Sequence, residues 1–252
     1  MTQGPGGSIA FDRAAATYDA TRGGEERGTA MAFPLARHLR PGPVLEVGVG
    51  TGAVALALDR LGHPTCGVDL SPPMLAHARH RLGPRVAAAD GYHLPVPDGA
   101  VPNVVVVWVL QLVPDVAGFL AEAARVTAAG GRVAVIPAGG EWEPDDIGDI
   151  LVPLAGQLRP PRDHPEHLTA AAPAAGLTVV AHDTTTPWER VESPEAVARV
   201  LEGRQWSMLW DLPAEQWEAV VEPALAALRA LPDPDRARTR HGHDHILVLT
   251  PE

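Results

Sequence analysis

Two kinds of apolar pattern alternate along this chain. Short runs that are apolar on both faces stand at Val44–Val47, Thr65–Asp69, Arg85–Ala89, Asn103–Trp108 and Arg132–Ile136. Longer stretches with apolar positions three and four apart stand at Gly52–Leu61, Pro72–Leu82, Val116–Thr127 and His164–Ala174. The first pattern predicts strands covered by helices on both sides, the second amphipathic helices. Their strict alternation predicts an α/β chain built on a doubly wound parallel sheet. A helix is also expected over Glu25–Leu39, with Pro34 set to kink or break it, and a sixth strand over Leu177–His182.

The rhythm then changes. A long interval precedes the last apolar run, Ile246–Thr250. Within it, Ser193-Pro194-Glu195 is a helix start, with Ser as N-cap and Pro at the first position. A second helix is expected over Pro213–Leu231, where Trp217, Val220, Val221, Leu225 and Leu228 share a stripe. The expected organisation is a ligand-binding domain over 1–186, a helical cap over 187–242 inserted before the last strand, and that strand within 243–252. A lateral helical extension is the competing reading of 187–242.

Composition narrows the function. The formal net charge is −11, and the basic residues are scattered, which disfavours a nucleic-acid partner. All 20 basic residues are arginine, so Schiff-base chemistry and a phosphate-loop lysine are excluded. No apolar window reaches membrane-span length. The start, M-T-Q-G-P-G-G-S, lacks the basic and apolar regions of a secretory signal, and Cys66 is the single cysteine. These features lead us to expect a cytoplasmic protein that contacts no membrane. Oligomeric state is not written in the pattern.

The densest chemical signal is Val44–Gly52, V-L-E-V-G-V-G-T-G. A buried strand that enters a helix through Gly48, Gly50 and Gly52 suits a ligand pressed against the backbone. Asp69 closes the second strand, where an acid accepts hydrogen bonds from ribose hydroxyls. The loop alone serves a nicotinamide dinucleotide and S-adenosyl-L-methionine (SAM) equally. Glu46, inside the strand, favours SAM: it can face an ammonium, whereas it would repel a pyrophosphate. Asp90, after the third strand, can accept from an adenine amine.

The chain resembles the class I SAM-dependent methyltransferases, and among them the branch with the ubiquinone/menaquinone C-methyltransferases. The matching motifs are F-D-R-A-A-A-T-Y-D-A-T-R (Phe11–Arg22), E-V-G-V-G-T-G, G-V-D-L-S-P-P-M-L, D-G-Y-H-L-P-V-P-D and V-L-Q-L-V-P-D. The resemblance covers residues 11–137. It implies a Rossmann-like sheet, mostly parallel with an antiparallel last strand. It implies that Gly48, Gly50 and Gly52 lie against the methionine part of SAM, with Glu46 near the ammonium and Tyr18 and Arg22 toward the carboxylate. Asp69 would hold the ribose, Leu70 and Met74 would flank adenine, and Asp90 with Gly91 would read its edge. Val107 and Trp108 would form the floor near the sulfonium. For Tyr18 and Arg22, mere anchoring of an N-terminal helix is the alternative. Gln111 stands where the family often has histidine, and Trp108 where a small polar residue is common, so the family's substrates do not carry over.

The expected activity is methyl transfer to an O, N or C atom of a small metabolite. Such transfer needs alignment and a dry pocket rather than an acid–base pair. Candidates for a base, where the acceptor needs one, are His93, Glu141, Glu143 and His182. Trp142, Trp206 and Trp210, with Gln111, are the expected acceptor contacts, and the rings suit an apolar acceptor. His241, His243 and His245 alternate and would share one strand face, but without further ligands no metal is assigned. The alternatives are an enzyme or regulatory module of this fold that binds SAM without methylating, and an NAD(P)-dependent oxidoreductase.

Overall fold

The computed structural model describes residues 7–158 and 162–252. Numbered along the chain, its helices are α1 (Gly7–Arg22), α2 (Gly24–Ala36), α3 (Ala53–Arg60), α4 (Pro72–Leu82), α5 (Val116–Val126), α6 (Gly148–Leu158), α7 (Pro165–Ala171), α8 (Pro194–Glu202), α9 (Ala214–Gln216) and α10 (Glu222–Ala230). Its strands are β1 (Val44–Val47), β2 (Thr65–Asp69), β3 (Val86–Ala88), β4 (Val101–Val107), β5 (Thr127–Ile136), β6 (Glu141–Trp142), β7 (Leu177–Thr184), β8 (Trp188–Glu192), β9 (Arg238–His243) and β10 (His245–Pro251). The chain divides into two compact units: Met1–Gly139 with Arg162–Thr186 and Asp244–Glu252, and Gly140–Pro161 with Pro187–His243.

The first unit is the doubly wound sheet. Strand order is β3-β2-β1-β4-β5-β10-β7, parallel except where β10 runs antiparallel to β5 and β7. Successive side chains on a strand face opposite sides, which splits the apolar runs between two cores. Leu45, Val47, Val104, Val106, Val133 and Val135 pack with Phe119, Leu120 and Ala123 of α5. Val44, Val105, Val107, Ala134 and Ile136 pack with Met31 and Leu35 of α2 and Val54 and Leu58 of α3. Full burial of each such side chain stabilises the fold by roughly 1.5–3 kcal/mol. The same alternation puts Glu46 on the α2–α3 side. The helices over the carboxyl ends start where their caps dictate. Ser71 Oγ accepts the Met74 N–H at 3.3 Å ahead of Pro72-Pro73, and Asp115 Oδ1 accepts the Gly118 N–H at 3.0 Å. Pro34 does not break α2: it is buried within the helix, which ends two residues later at Ala36.

The second unit departs from the sequence expectation in three ways. It takes Gly140–Pro161 as well as the later segment, because Ile147 and Leu154 pack with Val197, Leu201, Leu209, Val221 and Leu228. It is not purely helical, since β6, β9 and β8 form a three-stranded antiparallel sheet. The expected helix over Pro213–Leu231 is α9, a π turn over Trp217–Val221, and α10. Pro223 lacks the N–H that an unbroken α-helix would send back four residues, and the wider turn precedes it. The H-G-H-D-H run also divides. His241 and His243 end β9, His245 starts β10, and the Asp244 N–H donates to Thr185 Oγ1 at 2.9 Å between them. The three histidines therefore do not share one strand face, and the last strand begins at His245 rather than 243. Among the described residues no helix is long and apolar enough to cross a membrane.

Candidate functional site

At the end of β1 the chain turns through three left-handed glycines: Gly48 at φ +79°, Gly50 at +53° and Gly52 at +81°. Side chains rarely adopt this region. Three different constraints act on them. A Cβ on Gly48 would lie 2.3 Å from Val109 Cγ2, and one on Gly52 would lie 3.2 Å from Ala78. A Cβ on Gly50 would meet no protein atom within 4 Å. Gly48 and Gly52 are thus glycine through packing as well as conformation. Gly50 faces open space, and that space is a cavity of about 160 Å³ that also touches Val47, Val107, Trp108 and Val109.

Two acids border the cavity. Asp69 ends β2 and uses both oxygens on backbone: Oδ2 accepts the Gly50 N–H and Oδ1 the Ser71 N–H, each at 2.8 Å. Burial nonetheless holds its carboxyl above the usual range, against the pull of those two bonds. Asp90 follows β3 and is more open. Its Oδ1 accepts the Tyr92 N–H at 3.0 Å. Beside it, a Cβ on Gly91 would lie 2.2 Å from Phe119 Cε2, so this glycine lets Phe119 form the wall. Phe119 meets Tyr92 edge-on at 5.6 Å, and the Tyr92 hydroxyl donates to the Asp115 carbonyl at 3.0 Å.

Glu46 lies beneath the loop instead of on the cavity surface. It is 2% exposed, and its Oε2 has no hydrogen-bond partner among the described residues. Burial first, then the charge of Asp69, pushes its carboxyl well above the ordinary range, while the Ala55 N–H pulls the other way. A carboxylate here lacks the counter-charge that burial of an ion demands.

Helix α1 closes one side of the cavity with Phe11 and Tyr18. Side-chain bonds tether it to the loop. Asp19 Oδ1 accepts from Thr51 Oγ1 and Oδ2 from Arg81 Nη2, both at 2.7 Å, while Arg81 Nη1 donates to the Thr51 carbonyl at 2.8 Å. Ser71 Oγ donates to Asp12 Oδ1 at 2.5 Å. Burial raises the Tyr18 phenol pKa; the nearby Arg22 and Arg27 oppose that. Arg22 itself does not line the cavity. Arg27 of α2, which the sequence reading missed, lies 3.7 Å over the Trp108 ring. Trp108 follows β4 at φ +54°, and its Nε1 is buried without a partner among the described residues. Gln111 stands off the cavity, its Nε2 donating to the Trp108 carbonyl.

Of the thirteen residues expected around the cofactor, the cavity gathers Tyr18, Gly48, Gly50, Asp69, Leu70, Met74, Asp90, Gly91, Val107 and Trp108. Arg22, Glu46 and Gly52 are not among its lining residues. Phe11, Ser71, Tyr92, Leu112, Val113 and Phe119 join the lining without having been singled out. All of these but Phe119 lie inside quoted motifs, so position was the available signal.

Of the four candidate bases, His93 and His182 belong to the first unit and do not line the cavity, and Glu141 and Glu143 belong to the second unit. His93 is 85% exposed, 3.9 Å from Asp90. His182 is exposed, its Nε2 3.3 Å from His245 Nδ1. Glu141 pairs with His243 at 3.5 Å, and Glu143 is exposed. In the second unit, Trp142 meets Trp188 edge-on at 4.3 Å and carries the Arg240 guanidinium 4.1 Å from its ring. Trp206 packs on that unit's own core and opens a 3₁₀ turn over Ser207–Leu209, which separates it from Trp210.

Residues 45–135 match the methyltransferase domain family. A demethylmenaquinone methyltransferase of Tropheryma whipplei is 40% identical over 98 residues, 36% of this chain and 40% of that one. The chain thus spans less than half the length of that curated relative. The YcgJ protein of Bacillus subtilis has the same fold, with a TM-score of 0.59 at 19% identity over 90% of this chain and 99% of that one. A Haemonchus contortus phosphoethanolamine N-methyltransferase, solved with S-adenosylhomocysteine, gives a TM-score of 0.55 at 18% identity, over 96% of this chain and 58% of that one.

Proposed function

We propose that this chain, whose residues 45–135 match a methyltransferase domain, is a SAM-dependent methyltransferase that acts on an O, N or C atom of a small metabolite. The observation that carries this reading is the cavity itself. An open glycine at positive φ, acids at the ends of two adjacent strands and apolar walls line one space. These groups match a ligand that carries an amino acid, a ribose and an adenine. Bound SAM supplies an electrophilic methyl group on a cationic sulfur.

The roles of the protein follow from its residues. Gly48 and Gly50 present backbone without a side chain to the amino-acid part. Asp69, already fixed by two backbone bonds, has lone pairs left for ribose hydroxyls. Leu70 and Met74 offer apolar faces to adenine, and Asp90 accepts from its amine. Tyr18 lines the same space, and the Arg22 and Arg27 charges near it suit the amino-acid carboxylate. Val107, Trp108 and Val113 exclude water, which suits a step in which charge is lost. Neither His93 nor His182 is among the described lining residues of the cavity, and positioning and desolvation by its walls carry the catalysis. An exposed, unpaired Cys66 suits a reducing cytoplasm.

Titration calorimetry with SAM, S-adenosylhomocysteine and NAD(P)H is the direct test, followed by incubation with labelled SAM and an acceptor panel. SAM binding and acceptor-dependent S-adenosylhomocysteine are expected. Binding of NAD(P)H in place of SAM overturns the cofactor assignment. Product formed without S-adenosylhomocysteine overturns the transfer.

A further inference from the structure

We propose that a second pocket in the first unit, lined by Arg37, His38, Arg40 and Arg132, is a binding site for a small, multiply charged phosphate compound, with a diphosphate the best match. This pocket is distinct from the glycine-loop cavity. Arg132 of β5 pairs with Asn103, which pairs with Val44, so it stands level with the amino end of β1. The glycine loop leaves the other end of that strand.

The pocket encloses about 280 Å³ over a floor of Leu39, Val180, Ala181 and Val248. Arg37, Arg40 and Arg132 line it, and none of its described lining residues is acidic. Many other arginines of this acidic chain pair with carboxylates, as Arg60 does with Glu25, Arg81 with Asp19 and Arg125 with Glu122. Arg37, Arg40 and Arg132 have no carboxylate at ion-pair distance among the described residues, although the charge of Arg37 reaches Asp183. His38 is the one cationic candidate with a partner, Asp183 at 3.0 Å.

The unpaired charges are also held together. Arg40 Nε and Arg132 Nη1 both donate to the Gly130 carbonyl at 3.1 Å, and Arg132 Nη1 also reaches the Gly131 carbonyl at 2.9 Å. Backbone acceptors thus fix two like charges side by side without neutralising either. Burial first, and then the charge of Arg40, hold the Arg132 guanidinium below its ordinary value. The outer guanidinium nitrogens remain available. Guanidinium forks bind phosphate oxygens in pairs, and several such groups match an anion with more than one charge. The overall charge of −11 repels anions in general, so retention at this point requires a local cluster.

The experiment is titration calorimetry of the full chain with inorganic pyrophosphate, orthophosphate and chloride, with and without saturating SAM. One pyrophosphate per chain is expected, at least tenfold tighter than orthophosphate, weakened by salt and unaffected by SAM. The double variant Arg37→Gln/Arg40→Gln removes two exposed side chains. It should weaken pyrophosphate at least tenfold and leave SAM affinity unchanged, and it takes from the fold only the Arg40 bond to the Gly130 carbonyl. Arg132 is left intact because its bonds hold the Gly130–Gly131 turn. Absence of pyrophosphate binding overturns the proposal, as does competition with SAM or unchanged affinity in the double variant. Binding confined to phosphatidic-acid vesicles, with none to free pyrophosphate, overturns it in favour of a membrane surface.

Discussion

Replacing Gly50 with alanine separates conformational cost from ligand exclusion. Gly50 sits at φ +53° with open space where its Cβ would go. The left-handed backbone costs a non-glycine residue about 1–2 kcal/mol. For a chain of this size each kcal/mol lowers the melting temperature by roughly 2–4 °C, so Gly50→Ala should melt about 2–8 °C lower. The added methyl group also projects where the amino-acid part of SAM is assigned. A tenfold loss of affinity corresponds to about 1.4 kcal/mol, and a ligand pushed off the backbone should lose at least that much. Gly176→Ala is the matched control. Gly176 is also left-handed, at φ +68° and ψ +31°, also has no protein atom within 4 Å of its Cβ position, and lies before β7 away from the cavity. Both variants should melt lower by similar amounts. Only Gly50→Ala should lose SAM affinity by calorimetry and the ligand-induced rise in melting temperature. Equal SAM affinity in the two variants would refute the assignment of the Gly50 face to the ligand.

Two further predictions concern charge. Glu46 is raised by burial and by Asp69, so the folded state holds its proton above the pH at which the unfolded chain releases it. Stability should therefore fall as pH rises from the usual glutamate range through the folded value. Glu46→Gln should melt higher than the wild type at pH 8, with the gap closing toward pH 4.5; a gap that does not change with pH would remove the buried-acid argument. Asp19 is the opposite case: burial raises its pKa, but bonds from Thr51 and Arg81 prevail and lower it. Its stabilising effect is present at neutral pH and lost as pH falls below the ordinary aspartate range. Asp19→Ala should cost about 1–2 kcal/mol, as expected for a partly exposed charged hydrogen bond, and should weaken SAM binding by loosening α1. A protease-cleavage assay near residue 19 that shows no change would count against the tether.

The order of strands and helices was legible because each depends on its own neighbours. Apolar spacing of two or of three-to-four residues selects strand or helix, and Ser71, Asp115 and Ser193 mark helix starts through bonds to residues three positions on. The acid positions were legible too, since Asp69 and Asp90 close strands whose ends the pattern located. The three glycines announced a turn at positive φ. Why each is glycine became clear only in the fold, because Val109, Ala78 and open space come from elsewhere in the chain. Glu46 lies beneath the loop because strand alternation turns it toward α3, whose Ala55 N–H it meets.

Other features exist only through partners remote in sequence. Asp19 and Arg81 are 62 residues apart, and no local periodicity links them. The small sheet of β6, β9 and β8 joins segments that the chain keeps far apart, so neither edge was readable as a strand from its own residues. The arginine pocket follows the same rule: Arg37, Arg40 and Arg132 look like scattered surface charge until β5 is laid against α2 and its exit. Local spacing thus determined the strands of the large sheet, the helices that cover it and the type of ligand loop. Tertiary packing alone decided which side chains share a space, because hydrogen bonds and charge pairs depend on distance in the fold rather than along the chain.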